Sequence, residues 1–252
     1  MANPSRRPDR TWAPNVLTAA NLLLGFFSIL LSMRAARLGQ GAESMDYQVA
    51  CWLILWATIF DVLDGKVAKI LHASSEFGLR LDTFADAVTF GLAPAVLIYA
   101  TFLRSAGLGA TGVFAAGAYF MAGAFRLARY NVLTTGPVRF GFVGIPTPTA
   151  AIITTTLFLS TRVAPWPPER VAALMGLLAL LMVCPLRYPS LKGLKVREAV
   201  LVLGILGICL VARIYFGTPK VIFLLFSSFA LIWGWMWIPL RPYWVPGIVK
   251  ED

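Results

Sequence analysis

Long apolar runs follow one another along almost all of this 252-residue sequence, separated by short polar breaks. A helix needs about 20 apolar residues to cross the hydrocarbon core of a bilayer. Runs of this shape occur near residues 15–33, 47–63, 84–103, 109–125, 146–161, 168–185, 198–215 and 219–240. The composition agrees, because 58% of the residues are hydrophobic and 13% are charged, whereas soluble domains average about 25% charged. The sequence therefore predicts an all-α polytopic membrane protein with about eight transmembrane helices and no separate soluble domain.

The distribution of basic residues predicts how these helices are oriented. If the N-terminus is cytoplasmic, seven of the 22 basic residues fall on the opposite side: Arg34, Arg37, Arg104, Arg162, Arg170, Arg213 and Lys220. The other 15 lie on the cytoplasmic side, where Lys and Arg are normally enriched. We therefore expect an integral protein of a bacterial or archaeal inner membrane. The net charge of +10 fits contact with anionic lipid headgroups, and we expect no nucleic acid partner.

Four aspartates lie at helical spacing on either side of one polar break. Asp61 and Asp64 end the second apolar run at i and i+3, and Asp82 and Asp86 begin the third at i and i+4. Each pair falls on one face of a helix. The stretch 72–75, together with Gly78, predicts a turn between the two helices. Two antiparallel helices then bring all four carboxylates together near the cytoplasmic surface.

Such a cluster calls for cations. Carboxylates in a low-dielectric site repel one another and take up protons unless positive charge compensates them. Mg²⁺ and Mn²⁺ prefer oxygen ligands, and a pair of such ions can clamp a phosphorus centre during displacement. Salt bridges to Lys66, Lys69 and Arg80 are the competing interpretation, but ion pairing alone does not require this spacing on two facing helices.

A divalent-cation transporter is an alternative from another functional class. A transport path must reach both faces of the membrane, whereas these aspartates all lie at one. The small residues near them favour a bound ligand instead. Three residues have no side chain or only a methyl group, so that a bulky group can approach the helix backbone: Gly65, Ala68 and Gly78. Taken singly, each is equally typical of close helix packing.

The run Asp61-x2-Asp64-Gly65-x2-Ala68-Lys69-x8-Gly78-x3-Asp82-x3-Asp86 resembles the signature of the CDP-alcohol phosphotransferases. The resemblance implies that the four aspartates hold two Mg²⁺ or Mn²⁺ ions on the diphosphate, with Asp86 as general base on the acceptor hydroxyl. It implies nucleotide contacts from Asp61, Gly65, Ala68, Lys69 and Gly78. Thr18 and Asn21 on the first helix are further candidates, although each could instead form an interhelical hydrogen bond. The family usually has arginine where this chain has Lys69, which keeps the charge but lacks the planar two-pronged fork.

The acceptor alcohol is indicated by a second group of polar residues. Arg126, Arg129 and Asn131 lie where the fourth run ends. Arginine at membrane depth is costly and tends to be functional, and its fork matches a carboxylate. Among inositol, glycerol phosphate, choline and serine, only serine presents a carboxylate together with an ammonium. Positive-inside anchoring is the other interpretation of the two arginines.

The surrounding motifs resemble one branch of the same family. Phe125-Arg126-Leu127-Ala128-Arg129-Tyr130-Asn131 and Phe142-x-Gly144-Ile145-Pro146-x-Pro148-x-Ala150-Ala151 are similar to the stretch that marks the phosphatidylserine synthases. Motifs within 14–21, 90–95 and 181–190 are similar as well. The resemblance implies transfer of the phosphatidyl group of CDP-diacylglycerol to L-serine, with Arg126, Arg129 and Asn131 binding serine. The same chemistry on choline or glycerol phosphate is the alternative.

The resemblance covers residues 14–192 and so divides the chain. We expect a cytoplasmic N-terminal segment at 1–13, a catalytic transmembrane core at 14–192, and C-terminal transmembrane helices with a tail at 193–252. It also implies the CDP-alcohol phosphotransferase fold and a homodimer embedded among membrane lipids.

Overall fold

The computed structural model describes residues 12–71, 75–104, 107–135, 144–161 and 166–184, and every regular element in these ranges is helical. The α-helices are α1 (Trp12–Arg37), α2 (Met45–Ile70), α3 (Glu76–Asp86), α4 (Ala93–Ile98), α5 (Gly109–Thr135), α6 (Thr147–Thr161) and α7 (Pro168–Val183). Two π-helical segments, Ala87–Leu92 and Tyr99–Leu103, precede and follow α4. Residues 76–103 therefore form one continuous helix.

Three of these helices are long and apolar enough to cross a membrane: Pro14–Arg37, Met45–Ala68 and Glu76–Leu103. They correspond to the first three predicted runs. The fifth and sixth runs form α6 and α7, of which α6 contains a shorter apolar stretch, Thr147–Leu159. The seventh and eighth runs lie outside the described residues, so the number of eight stays a prediction. The chain is an all-helical membrane protein in the part that the structure describes.

The first π-helical segment has a local cause in the sequence. Pro94 has no backbone N–H, so it cannot donate the usual i→i−4 hydrogen bond to the Phe90 carbonyl. The hydroxyl of Tyr119, a fully buried residue of α5, donates to that carbonyl at 3.2 Å. The Ala93 N–H reaches back five residues to the Val88 carbonyl. Widened turns of this kind are frequent at functional sites, and this one begins immediately after Asp86.

Packing around α1 sets the positions of the next two helices. This helix packs along α2 and against α3, while α5 packs against α7. A side chain at Gly25 would overlap Thr89 in the π-helical segment, so glycine permits the close approach of α1 there. The Thr89 hydroxyl donates to the backbone carbonyl of Asn21 at 3.1 Å. These contacts fix the position of α1 relative to the helix 76–103.

The helix carrying Asp82 and Asp86 starts earlier than the apolar run suggested. The run begins near residue 84, whereas α3 begins at Glu76. Ser75 is the N-cap, and its side chain accepts a hydrogen bond from the Gly78 N–H at 3.0 Å. The prediction that Gly78 belongs to the turn is therefore wrong, because it lies in the first turn of α3. The capping hydroxyl supplies the missing start signal.

Candidate active site

Two helices carry the acidic cluster. Asp61 and Asp64 lie one turn apart on α2, and Asp82 lies on the facing part of α3. One carboxylate oxygen from each of these three residues lies within 4.8 Å of the other two. Asp86 follows Asp82 by four residues at the end of α3 and is half-buried. This geometry brings three of the four predicted aspartates together, and the convergence of Asp86 with them stays a prediction.

Asp64 is the most enclosed of the four carboxylates. Its residue is 5% exposed, and its Oδ2 accepts a hydrogen bond from the Thr18 hydroxyl of α1 at 2.9 Å. Burying a carboxylate costs several kcal/mol even after relaxation, whereas a hydrogen bond to a charged group returns only about 1.5–3 kcal/mol. Thr18 therefore does not offset the burial of Asp64, and the neighbouring carboxylates add repulsion. Positive charge at the cluster would offset both.

The donor set fits a hard divalent cation. Ligands on opposite sides of an octahedral Mg²⁺ lie about 4.2 Å apart, twice the metal–oxygen distance. The three carboxylate oxygens already lie within 4.8 Å of one another, so a small inward movement would bring them to coordination distance. All three donors are oxygens, as Mg²⁺ and Mn²⁺ prefer.

The small residues near the cluster have different surroundings. A Cβ added at Gly65 would meet no atom within 4 Å, so open space adjoins the helix beside Asp64. A Cβ at Gly78 would lie 2.7 Å from the Asn15 side-chain oxygen, so Gly78 allows α3 to approach α1. Ala68 is half-buried in α2. The side chain of Lys69 lies outside the described part of the chain, and its predicted nucleotide contact stays a prediction.

The two residues of α1 differ in their hydrogen bonding. Thr18 forms the interhelical bond to Asp64, which is one of the two roles considered for it. Asn21 is fully buried, and neither atom of its side-chain amide has a hydrogen-bond partner among the described residues. Buried polar groups are normally satisfied. The Asn21 amide therefore has the capacity to bind a ligand or a water between α1 and α3.

The predicted acceptor residues lie on α5 but face different partners. Arg126 is 6% exposed and lies within electrostatic range of the Asp86 carboxylate. Arg129 donates from Nη1 to the Val183 carbonyl at 2.9 Å and from Nη2 to the Met182 carbonyl at 3.3 Å, at the end of α7.

Asn131 donates from Nδ2 to the Thr83 hydroxyl of α3 at 3.1 Å. The amide of Asn131 therefore ties α5 to α3 between Asp82 and Asp86. Arg126 is thus the predicted acceptor residue that lies within electrostatic range of the Asp86 carboxylate.

One contact of Arg126 was missed by the sequence interpretation. Its Nη1 donates to the hydroxyl of Thr147 at 3.4 Å. Thr147 occupies the unspecified position x of the Gly144-Ile145-Pro146-x-Pro148 motif. The residue therefore lies inside a motif that the sequence analysis had already identified. A periodicity argument does not find it, because Thr147 is the first residue of α6 and contacts another helix.

Comparisons with known proteins identify relatives of this chain. The CDP-diacylglycerol--serine O-phosphatidyltransferase of Helicobacter pylori is 31% identical over 235 residues, covering 90% of this chain and 92% of that protein. The archaetidylserine synthase of Methanothermobacter thermautotrophicus is 31% identical over 204 residues, covering 79% of this chain and 78% of that protein. A family model described as CDP-alcohol phosphatidyltransferase matches residues 11–186, which include all four aspartates. The chain belongs to the CDP-alcohol phosphatidyltransferase family.

Proposed function

We propose that this protein transfers the phosphatidyl group of CDP-diacylglycerol to the hydroxyl of L-serine, giving phosphatidylserine and CMP. The observation that carries the proposal is the serine phosphatidyltransferase of Helicobacter pylori, which is similar along 90% of this chain. The placement of Arg126 within electrostatic range of Asp86 supports it, because a cation in the same region as a base suits an acceptor that has both a carboxylate and a hydroxyl.

In this proposal Asp61, Asp64, Asp82 and Asp86 hold two divalent cations, Mg²⁺ or Mn²⁺. When bound, such ions neutralise the diphosphate and stabilise the charge that develops on the departing CMP. The burial of Asp64 and the mutual distances of three of the carboxylates support this assignment. Thr18 does not bind the cations but orients the Asp64 carboxylate through its hydrogen bond.

The nucleotide binds along α2 and the start of α3. The open space beside Gly65 supports a flat group lying against the helix backbone there. We assign nucleotide contacts to Asp61, Gly65, Ala68, Lys69 and Gly78, and Lys69 supplies positive charge to the diphosphate. Thr18 and Asn21 bound this region on the α1 side, and the unsatisfied amide of Asn21 can donate to or accept from the donor substrate.

Serine binds on the α5 side of the cluster. Arg126 pairs with the serine carboxylate, while Arg129 and Asn131 bound the pocket from the next turn of α5. Asp86 accepts the proton of the serine hydroxyl. The serine oxygen then forms a bond to the phosphorus that carries diacylglycerol, and the bond from that phosphorus to the bridging oxygen of CMP breaks. We propose that the transfer is a direct displacement through a ternary complex.

The whole-chain assignment extends this proposal. Residues 1–13 form a cytoplasmic segment, 14–192 the catalytic core, and 193–252 the C-terminal transmembrane helices and tail. The core contributes to a total of eight spans in a bacterial or archaeal inner membrane, with the aspartates at the cytoplasmic face. We propose a homodimer in which the diacyl chains of the donor lie in contact with membrane lipids.

One assay tests the acceptor. Purified protein in lipid is given CDP-diacylglycerol, Mn²⁺ or Mg²⁺, and separately L-serine, choline, glycerol phosphate or inositol, and the release of CMP is measured. We expect release with serine and none without a metal. A higher turnover with another alcohol would replace serine as the acceptor while leaving the donor chemistry in place. A phosphatidyl-enzyme trapped in the absence of serine would overturn direct displacement.

Asp86→Asn tests the assignment of the base. Loss of a general base typically costs about 10²–10⁴-fold in rate, so serine-dependent CMP release should fall by at least about 10²-fold while CDP-diacylglycerol binding persists. Asp46→Asn is the matched control, because Asp46 pairs with Arg34 on a different part of the molecule and should leave turnover unchanged. Retention of wild-type turnover in Asp86→Asn would remove Asp86 from this role.

A further inference from the structure

A tight corner joins the turn before α6 to the end of α7. Gly144 adopts a φ of 82°, a backbone conformation that residues other than glycine rarely adopt. A Cβ at this position would overlap the Met182 carbonyl oxygen. The next residue, Ile145, donates its backbone N–H to the Leu181 carbonyl at 3.1 Å. The backbone of this turn is therefore pressed directly on the last turn of α7.

Arg129 of α5 also contacts the end of α7. Its guanidinium donates hydrogen bonds to the Met182 and Val183 carbonyls at the end of α7. The last carbonyls of a helix have no donor within that helix. A cation is also favourable at this end of the helix dipole. The start of α6, the end of α7 and the C-terminal part of α5 are thus tied together by backbone contacts and one arginine.

Thr147 follows this corner as the first residue of α6. It is fully buried, and its hydroxyl accepts the hydrogen bond from Arg126 Nη1 at 3.4 Å. Gly123 on α5 lies beside it, since a Cβ added there would be in ordinary van der Waals contact with the Thr147 methyl carbon at 3.4 Å. The position of this hydroxyl is therefore fixed by the backbone around it rather than by a flexible loop.

Three other buried threonines of α6 behave differently. The hydroxyls of Thr154, Thr155 and Thr156 donate to carbonyls three and four residues earlier in their own helix. Thr147 has no preceding turn of α6 to bond to, so its hydroxyl is available to another helix. Arg126, whose Nε has no partner among the described residues, is the group that uses it.

We propose that Thr147 is the positioning residue of the acceptor site: it fixes the Arg126 guanidinium so that its remaining donors face the carboxylate of serine beside Asp86. The inference rests on the proposed function, in which Arg126 binds that carboxylate. Thr147 itself does not contact serine. A buried guanidinium without this acceptor would adopt other rotamers and would hold the carboxylate in the productive orientation for a smaller fraction of the time.

Thr147→Val tests this role because it removes the hydroxyl and keeps the shape. We expect the KM for serine to rise about tenfold, the effect of losing a hydrogen bond to a charged group. The turnover at saturating serine and the KM for CDP-diacylglycerol should stay within about twofold, as expected when only acceptor binding is lost. Thr147→Ser should restore the serine KM. Thr156→Val is the matched control on the same helix, and its serine KM should equal that of the wild type.

Arg126→Lys separates the inference from the proposed function. A raised serine KM in both Arg126→Lys and Thr147→Val, with rescue by Thr147→Ser, supports the positioning role. A raised serine KM in Arg126→Lys with an unchanged value in Thr147→Val overturns the inference and leaves the serine site standing. Unchanged serine KM values in both variants overturn the inference together with the role of Arg126. An equal loss of turnover and of both substrate affinities in Thr147→Val and Thr147→Ser would make Thr147 a packing residue and overturn the proposal.

Discussion

Thr18 connects the first helix to the chemistry of the cluster through one hydroxyl. It donates to the Asp64 carboxylate across 46 residues of sequence, and Asp64 is the one aspartate of the cluster that is almost fully enclosed. A hydrogen bond to a metal-binding carboxylate fixes which oxygen faces the ion and which faces the protein. Under the proposed function, Thr18 is therefore placed to govern metal affinity without touching the metal.

Thr18→Val should weaken metal binding more than it weakens substrate binding. Loss of such a supporting contact typically costs about 10–100-fold in metal affinity or activity, so the Mn²⁺ concentration giving half-maximal CMP release should rise at least about tenfold. Thr18→Ser keeps the hydroxyl and should stay close to the wild type. If the Mn²⁺ requirement of Thr18→Val matches that of the wild type, the hydrogen bond to Asp64 has no part in holding the ion.

At the scale of elements, the distance between α1 and the helix 76–103 decides whether the cluster can form. Thr18 on α1 donates to Asp64 of α2, and one turn further along α1 the Thr89 hydroxyl of the helix 76–103 donates to the Asn21 carbonyl. The contact at Gly25 is what lets the two helices come this close. Small residues serve the same purpose at many membrane helix interfaces. The site therefore depends on a residue that carries no functional group.

Gly25→Ala and Gly117→Ala form a matched pair that tests this dependence. The Cβ in Gly25→Ala would overlap Thr89, including its Cα at 2.8 Å, so α1 must move and stability should fall by about 1–3 kcal/mol. The Cβ in Gly117→Ala, on α5, meets nothing within 4 Å, so the change should be neutral or stabilising by about 0.5–1 kcal/mol. Thermal unfolding in detergent measures both. Equal effects of the two substitutions would contradict the close approach at Gly25.

At the scale of the whole molecule, the order of α1, α2 and the helix 76–103 fixes which ends share a side. Three consecutive antiparallel spans put the 38–44 connection on one side of the membrane and the 71–75 connection on the other. The basic residues favour the cytoplasm for the second. Under the proposed function, soluble serine then reaches the aspartates from the cytoplasm.

Cysteine labelling in intact cells tests this orientation. Glu43→Cys and Glu76→Cys both replace exposed side chains, one at each side, in a background in which Cys51, Cys184 and Cys209 are replaced by alanine. A membrane-impermeant maleimide should label Glu43→Cys in intact cells and Glu76→Cys only after permeabilisation. The reverse pattern would invert the protein and put the cluster on the outer face. Labelling of both in permeabilised cells is the control for accessibility.

The sequence by itself determined the elements that depend on local spacing. The apolar runs predicted the helices of the described region, and the aspartate pairs fell on single faces because i, i+3 and i+4 residues always do. The start of α3 was displaced from its apolar run because a capping serine, rather than hydropathy, sets that boundary. Pro94 in the sequence indicates the π-helical turn after Asp86. No spacing rule predicts that the hydroxyl of Tyr119, on another helix, donates to the carbonyl that Pro94 leaves without a donor.

Only the tertiary structure decided which partner each polar side chain has. Arg126 and Arg129 have the same spacing signal and the same chemistry, yet one meets Thr147 beside Asp86 and the other closes the end of α7. The physical reason is that a hydrogen bond between helices depends on their separation and rotation, which are set by packing at residues such as Gly25 and Gly144. Periodicity places a side chain on a face of its own helix, and the neighbouring helix determines what that face contacts.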